Sequence, residues 1–255
     1  MDLRLKGARA LVTGGSRGIG AAICTALAAE GAAIATCARG AEDLERALEG
    51  YRSHGVDAHG EALDVRDADA FEAWVARSAE AMGGIDIVVS NASTRIDPSS
   101  ADWWPDTFET DLMQHVRLKM LTVPHLAKSN DAALIFIASI ASILTALPSY
   151  EEAYGAMKAG LVNLVGQWAV QLAPQGIRVN AISPGPIDFE GGWWDQIKQA
   201  QPEAYQRAAG MAALGRLGVP EEIANATAFL ASPASSFTTG ANLRIDGGLI
   251  KTANF

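Results

Sequence analysis

Short apolar runs alternate with longer amphipathic stretches along the whole 255-residue chain. The apolar runs predict strands at 9–13, 33–37, 57–62, 86–90, 134–138, 178–183 and 242–246. The amphipathic stretches predict helices at 19–30, 41–53, 67–82, 102–128, 150–173 and 220–231. Buried strands that alternate with helices form a parallel sheet with helices on both faces. We therefore predict one doubly wound α/β domain over 1–255, with three α/β/α layers and about seven strands.

Charge and cysteine usage exclude several kinds of partner. The chain has 20 basic and 29 acidic residues and no basic run, which argues against nucleic acid and anionic membranes as partners. No apolar run approaches the length of a membrane span, and the N-terminus lacks a signal-peptide pattern. Cys24 and Cys37 form no C-x-x-C motif, which favours a reducing cytoplasm. No metal site is predicted, because metal-ligand spacing is missing among the histidines, which are His54, His59, His115 and His125.

A glycine-rich turn, "TGGSRGIG" at Thr13–Gly20, stands between the first predicted strand and the first predicted helix. Glycine permits a tight turn and lets the backbone approach a pyrophosphate, while the helix N-terminus attracts the phosphates. The strand, turn and helix context makes this pattern typical of a dinucleotide-binding Rossmann fold. The second strand ends in "TCARG", so that Ala38 and Arg39 replace the acidic residue that binds an unphosphorylated ribose. With Arg17 in the glycine turn, this favours NADP(H), and NAD(H) stays possible.

A second motif, "YEEAYGAMKAG" at 150–160, places Tyr154 four residues before Lys158. On a helix, this spacing puts both side chains on one face. A free phenol and a free ammonium both titrate far above neutral pH, so the pair needs a functional explanation.

Further motifs extend over the chain: "ALDV" (62–65), "SNAS" (90–93), "IASIAS" (137–142), "RVNAISPGPI" (178–187), "GRLGVPEEIA" (215–224) and "FTTGANLRIDGG" (237–248). With the two motifs above, the sequence resembles the short-chain dehydrogenase/reductase family from end to end, and most generally its bacterial 3-oxoacyl reductase-like branch. The resemblance implies an NAD(P)(H)-dependent oxidoreductase that interconverts a ketone and a secondary alcohol. Its partner would be a small-molecule carbonyl or alcohol substrate whose identity the sequence leaves open.

The resemblance implies roles for the catalytic residues. Tyr154 would be the general acid/base, and Lys158 would stabilise its phenolate and hold the cofactor's ribose. An ammonium about 4 Å away stabilises a phenolate by roughly 4 kcal/mol at an effective dielectric constant near 20. Ser139, at the end of a predicted strand, would hold the substrate oxygen, and Ser142 is the alternative.

The resemblance also implies a cofactor site that runs from the glycine turn to the catalytic residues. Asp64 and Val65 would lie against the adenine, and "SNAS" would brace the sheet beside the cofactor. The implied set is Gly14, Ser16, Arg17, Gly18, Ile19, Gly20, Arg39, Asp64, Val65, Asn91, Ala92, Ser93, Tyr154, Lys158, Pro184, Gly185 and Ile187.

Two positions depart from the family pattern near this site. Asp111 stands where the family has an asparagine that kinks the helix and holds a water for proton transfer to the lysine. Its charge favours the ammonium of Lys158 and opposes the phenolate of Tyr154. We therefore expect an active enzyme whose pH–rate profile has a somewhat higher basic pKa than in asparagine-bearing relatives. Ser93 replaces a usual glycine, and we expect its small side chain to fit.

The segment 186–213 is predicted to be a mobile substrate lid, and we call it the lid segment. It lacks the family's threonine, so only backbone groups of Ile187 are expected to reach the nicotinamide amide. Trp193 and Trp194 are interpreted either as an apolar wall for a bulky or aromatic substrate or as packing residues. The same two interpretations hold for Trp103 and Trp104, and the sequence alone does not decide between them.

Two functions are consistent with these motifs. The first is the carbonyl–alcohol oxidoreductase described above. The second is a dinucleotide-sensing regulatory or scaffold protein whose catalytic site has decayed, which the departures at 93 and 111 and the missing threonine would suit. The resemblance further implies a homodimer or homotetramer formed through the predicted helices 102–128 and 150–173.

Overall fold

The computed structural model describes residues 2–93 and 97–252. Within these ranges, seven strands form one parallel sheet in the order β3-β2-β1-β4-β5-β6-β7. The strands are β1 (Arg9–Thr13), β2 (Ala33–Ala38), β3 (Ala58–Ala62), β4 (Ile87–Ser90), β5 (Ala133–Ile137), β6 (Arg178–Pro184) and β7 (Asn242–Ile245). The α-helices are α1 (Gly18–Ala29), α2 (Ala41–Arg52), α3 (Ala68–Met82), α4 (Trp103–Phe108), α5 (Gln114–Leu126), α6 (Glu152–Leu172), α7 (Trp193–Ala200), α8 (Pro202–Met211) and α9 (Pro220–Ala231). A π-helical segment, Glu109–Met113, joins α4 to α5.

The central strand β5 shows why the sheet is covered on both faces. All five of its residues are buried, as expected for a strand between two helical layers. Ile135 and Ile137 join an apolar cluster with residues of α1 and α9, whereas Leu134 and Phe136 join a second cluster with residues of α3, α5 and α6. Burial of one such side chain contributes roughly 1.5–3 kcal/mol. The prediction of a doubly wound, three-layer α/β fold is confirmed.

Local sequence signals fix several helix ends. The carboxylate of Asp67 accepts a hydrogen bond from the Ala70 amide at 3.1 Å and begins α3. Gly83 ends the same helix in the left-handed region, at φ 70°. Glu222 accepts a hydrogen bond from the Val219 amide at 2.9 Å at the start of α9, where Pro220 needs no amide partner.

The structure differs from the predicted elements in two places. The helix predicted at 102–128 is divided by the π-helical segment, which carries Thr110 and Asp111 in buried positions. π-helical turns are rare and are frequently found at functional sites. The lid segment contains two helices, α7 and α8, that the alternating pattern did not predict.

The order of the strands creates a crevice at one edge of the sheet. From β3 at the edge, the chain crosses back to form β4 beside β1, which reverses the direction of strand addition. Ligands of open α/β sheets bind outside the carboxyl ends of strands at such a reversal. The glycine turn follows β1, and the "SNAS" motif ends β4, so both lie at this crevice.

Candidate active site

A cleft of about 380 Å³ lies at the carboxyl ends of the strands. It is lined by the glycine turn, the ends of β2, β4, β5 and β6, one face of α6 and part of the lid segment. The predicted site residues that line it are Gly14, Ser16, Arg17, Ile19, Gly20, Arg39, Asp64, Val65, Asn91, Ala92, Ser93, Ser139, Tyr154, Lys158, Pro184, Gly185 and Ile187. The predicted site residues Gly18 and Asp111 are not among the residues that line the cleft.

The glycine turn is shaped so that side chains are excluded from it. Gly14 lies in the left-handed region at φ 74°. A Cβ atom at Gly20 would stand 2.1 Å from the Gly14 carbonyl oxygen. Gly18, at φ 56°, is covered by the ring of Phe189, which a Cβ atom at 18 would approach to 2.7 Å. The turn therefore presents backbone atoms to the cleft, as a phosphate-binding cradle requires.

Asn91 ties the glycine turn to the end of β4. Its amide nitrogen donates to Thr13 Oγ1 at 2.9 Å, and its side-chain Nδ2 donates to the Thr13 carbonyl oxygen at 3.0 Å. The Ala92 amide also donates to Thr13 Oγ1, at 3.0 Å. These bonds fix the spacing between β1 and β4, the two strands that flank the crevice.

One end of the cleft carries several charged side chains. Asp64 binds Arg66, whose Nη2 donates to Asp64 Oδ2 at 2.8 Å. Hydrogen bonding from Arg66 lowers the pKa of Asp64, which keeps its carboxylate charged. Arg66 also pairs with Asp106 of α4 at 3.0 Å. Arg39 and Arg17 line the same cleft, and Arg39 is exposed.

The opposite end contains a buried ion pair beside the tyrosine. Lys158 Nζ lies 3.1 Å from Asp111 Oδ1 and donates to the Ile137 carbonyl oxygen at 3.3 Å. The Lys158 side chain is 1% exposed and that of Asp111 is 0% exposed. Lys158 Nζ also stands 5.5 Å from the centre of the Tyr154 ring. Removing both charges from water costs free energy, which their contact and hydrogen bonds offset.

Two serines were candidates for holding a substrate oxygen. Ser139 lines the cleft, and its Oγ accepts a hydrogen bond from the Ala141 amide at 3.1 Å. Because Oγ accepts there, the hydroxyl hydrogen is available to a ligand in the cleft. Ser142 is not among the lining residues, and its Oγ is buried without a hydrogen-bond partner among the described residues.

A neutral polar network lies near the Lys158 end of the cleft. His115 is fully buried, and its Nδ1 contacts Ser90 Oγ at 2.6 Å and Gln114 Nε2 at 2.9 Å. Gln114 Nε2 also donates to the Ala92 carbonyl oxygen at 3.0 Å. Burial, together with the charge of Lys158, holds the pKa of His115 well below its usual value. His115 therefore adds no second cation beside Lys158.

The lid segment presents an apolar surface to the cleft. The aromatic residues that line it are Phe189, Trp193 and Trp194. Trp194 also packs against a small cluster that contains residues of α8. Asp188 accepts a hydrogen bond from the Tyr205 hydroxyl at 2.7 Å, which raises the pKa of Tyr205 to about 12 and ties the start of the lid segment to α8.

Trp103 and Trp104 are placed differently from the tryptophans of the lid segment. Neither is among the residues that line the cleft, and Trp104 is 45% exposed. The interpretation of these two residues as a substrate wall is therefore not supported by their position.

Several cleft residues were not predicted from the sequence. They include Thr110, Arg66 and Phe189. Arg66 directly follows the "ALDV" motif, so its ion pair with Asp64, two residues earlier, could have been predicted from the sequence. The contact between Phe189 and Gly18 joins positions far apart in sequence, and no local signal predicts it.

Among the described residues, no cluster of three or more His, Cys, Asp or Glu side chains has the arrangement of a metal site. No described helix combines the length and apolarity needed to cross a membrane.

Comparison with known proteins covers nearly the whole chain. The protein-family model described as enoyl-(acyl carrier protein) reductase matches residues 14–250. Isoepoxydon dehydrogenase patN of Penicillium expansum is 38% identical over 251 residues, which cover 96% of this chain and 95% of that protein. The 3-oxoacyl-(acyl-carrier-protein) reductase FabG of Vibrio cholerae is 35% identical over 256 residues, with 97% and 99% covered.

Solved structures give the same result for the fold. L-sorbose reductase of Gluconobacter frateurii, complexed with NADPH and L-sorbose, is 32% identical, with a TM-score of 0.92 and coverage of 99% of this chain and 100% of that chain. An NAD+-bound xylitol dehydrogenase is 30% identical, with a TM-score of 0.89 and coverage of 96% and 100%. Every one of these named relatives and structures is a dehydrogenase or a reductase.

Proposed function

Because this chain belongs to the short-chain dehydrogenase/reductase family, we propose that Tyr154, Lys158 and Ser139 carry out that family's reaction in the cleft. The protein is an oxidoreductase that interconverts a carbonyl group and a secondary alcohol. The observation that carries the proposed roles is the buried Lys158–Asp111 pair beside Tyr154, at the end of the cleft that Ser139 also lines. The comparisons give no support to a regulatory protein with a decayed site.

The cleft fits a nicotinamide dinucleotide. A Cβ atom at Gly20 would clash with the Gly14 carbonyl and the Asn91 side chain, so this glycine permits the close packing of helix on strand that a dinucleotide-binding turn has at its last glycine. A bound nicotinamide dinucleotide supplies or accepts the hydride. We propose that the turn and the N-terminus of α1 hold the phosphates, that Asp64 and Val65 flank the adenine, and that Ile187 offers backbone groups to the other end.

The proton chemistry belongs to the side chains. In the direction of reduction, Tyr154 donates its phenolic proton to the substrate oxygen, and Ser139 donates a hydrogen bond to the same oxygen. The ammonium of Lys158 stabilises the phenolate that results, because it lies near the ring and is itself buried away from water. In the direction of oxidation, the phenolate removes the hydroxyl proton of the alcohol.

Replacement of the two serines separates their roles. We expect Ser139→Ala to lower kcat/KM by roughly 100- to 1000-fold, because the substrate oxygen loses a donor that is aimed at it. Ser142→Ala is the matched control and is expected to stay within about threefold of the wild type, since Ser142 does not line the cleft. Steady-state assays of cofactor absorbance measure both. A larger loss from Ser142→Ala than from Ser139→Ala would reverse the assignment.

For the cofactor, we propose a preference for NADP(H). Arg39 follows β2 directly, where an acidic residue would bind the ribose of NAD(H), and Arg17 lines the same cleft. Two guanidinium groups favour a 2′-phosphate at this end. The complexes of the two structural relatives contain NADPH in one case and NAD+ in the other, so the argument depends on this chain's own arginines.

Arg39→Ala tests the cofactor preference. We expect KM for NADPH to rise roughly ten- to hundredfold, with KM for NADH nearly unchanged, because a charge-assisted contact to phosphate is lost. Arg46→Ala is the matched control, since Arg46 is an exposed arginine on α2 that pairs with Asp43 away from the cleft. Equal catalytic efficiency of the wild type with NADH and NADPH would contradict the proposal.

The substrate class follows from the lid segment, which we propose closes over the cleft at 186–213. All lid-segment residues that line the cleft are apolar in the part of the chain that the structure describes, and three of them are aromatic. We propose a bulky, uncharged substrate, with an aromatic or cyclic group that packs against Trp193 and Trp194.

We also propose an assembly and a compartment. Trp104 and Phe108 of α4, Met120 of α5 and Val170 of α6 are exposed large apolar residues, which suits a homodimer or homotetramer that covers them. Cys24 and Cys37 are free and buried, and burial raises the pKa of both thiols to about 12. Two unpaired cysteines suit the reducing cytoplasm.

A further inference from the structure

Ser93, Asp111 and Lys158 form a continuous hydrogen-bonded chain. The Ser93 hydroxyl donates to Asp111 Oδ1 at 2.5 Å, and Lys158 Nζ lies 3.1 Å from the same oxygen. Asp111 Oδ2 is buried and has no hydrogen-bond partner among the described residues, so the polar contacts of this carboxylate pass through Oδ1. Ser93 and Asp111, two of the departures from the family pattern, are thus in direct contact.

The three members of this chain differ in their access to water. Lys158 is 1% exposed and Asp111 is 0% exposed, whereas Ser93 is exposed and lines the cleft. A hydroxyl group can accept a proton from water while it passes its own proton to a neighbouring oxygen. A glycine at position 93 would leave Asp111 without this link to the cleft.

We propose that Ser93 and Asp111 form a proton relay that connects Lys158 to water in the cleft. The inference rests on the proposed roles of Tyr154 and Lys158. Each reduction takes one proton from Tyr154, and the charge pair behind it must be restored before the next turnover. Lys158 gives a proton to the phenolate of Tyr154 and becomes a neutral amine. Ser93 then passes its own proton to the carboxylate of Asp111 while it takes one from cleft water, which draws it from bulk solvent. Asp111 passes that proton on to Lys158, and the ion pair is restored. Oxidation runs the same transfers in reverse.

The relay also alters the expectation for Ser93, which was only that a small side chain fits. In the structure its hydroxyl has a definite partner, and that partner is the unusual carboxylate. Ser93 is therefore a positioning residue for Asp111 as well as a member of the relay.

Stopped-flow kinetics of Ser93→Ala tests the relay, with NADPH and the best substrate from a panel of cyclic and aromatic ketones. The first turnover uses the proton already on Tyr154, so its rate is expected to match the wild type. Later turnovers need the relay, so steady-state kcat is expected to fall about tenfold and its solvent deuterium isotope effect to rise. Ser93→Thr keeps the hydroxyl and is expected to retain kcat. Equal slowing of the first and later turnovers, or no change in either, would overturn the proposal.

A double-mutant cycle tests whether Ser93 acts through Asp111. We expect Ser93→Ala to have no further effect on kcat in an Asp111→Asn background, because the carboxyl that it serves is gone. Additive losses would contradict the relay. Cofactor affinity and the melting temperature of each variant show whether the fold is intact. If Tyr154→Phe were still active, the proposed function itself would fail; if it were inactive while Ser93→Ala behaved as the wild type, only the relay would fail.

Discussion

Replacement of Tyr154 by phenylalanine is expected to lower turnover by at least about a thousandfold, because the substrate oxygen loses its proton donor and acceptor. The ring and its contact with Lys158 Nζ are retained, so the cleft keeps its shape. Turnover is measured by cofactor absorbance over a panel of ketones and alcohols. Affinity for NADPH, measured by calorimetry, is expected to stay within about twofold of the wild type.

Tyr150→Phe is the matched control for this experiment. Tyr150 lies four residues before Tyr154, is 48% exposed, and is not among the residues that line the cleft. It is expected to leave kcat unchanged. The general acid/base role would be refuted if Tyr154→Phe kept a tenth or more of the wild-type turnover rate. Such a loss corresponds to an increase of at most about 1.4 kcal/mol in the activation barrier. A wild type that binds NADPH and turns over no member of the panel would favour the regulatory protein instead.

Replacement of Lys158 by methionine is expected to destabilise the fold by about 3–5 kcal/mol, because the carboxylate of Asp111 is left buried without its counter-ion. Both side chains are almost completely removed from solvent, so water cannot compensate. Urea-induced unfolding, followed by circular dichroism, measures the free energy of unfolding. Asp111→Asn in the same chain removes the unpaired charge and is expected to restore most of the lost stability.

The ion pair between the exposed Lys198 and the half-buried Asp188 provides the control. Lys198 is 54% exposed and its Nζ lies 3.4 Å from Asp188 Oδ2, so Lys198→Met is expected to cost about 1 kcal/mol or less. If Lys158→Met were no more harmful than Lys198→Met, the 158–111 contact would not be a buried ion pair in solution. If the double variant Lys158→Met, Asp111→Asn were as unstable as Lys158→Met alone, the loss in free energy of unfolding would come from lost packing and not from the unpaired charge.

The sequence carries the fold and one part of the site in local patterns. Alternating runs predict the parallel sheet, and the glycine turn is recognisable because its strand and helix are adjacent in sequence. Tyr154 and Lys158 are placed together by a single helix, α6, so their juxtaposition needs no knowledge of tertiary structure.

The rest of the site depends on contacts between distant segments. Ser93 meets Asp111 because β4 ends beside the π-helical segment. The family resemblance implies a kink at position 111, but the contact between the two side chains has no sequence signal of its own. Each departure from the family pattern could be noticed singly, but their combination became visible only when the backbone was in place. The same holds for Arg66 and Asp106, which join the Asp64 end of the cleft to α4.

The ring of Phe189 on Gly18 has a practical consequence for attempts to redesign this enzyme. The glycine turn and the lid segment are far apart in sequence, and both line the cleft. Here the two regions share one contact, and any side chain larger than hydrogen at position 18 would push the aromatic ring away. Libraries that vary the turn should therefore hold this glycine constant, because a larger residue there would displace an aromatic ring that lines the same cleft.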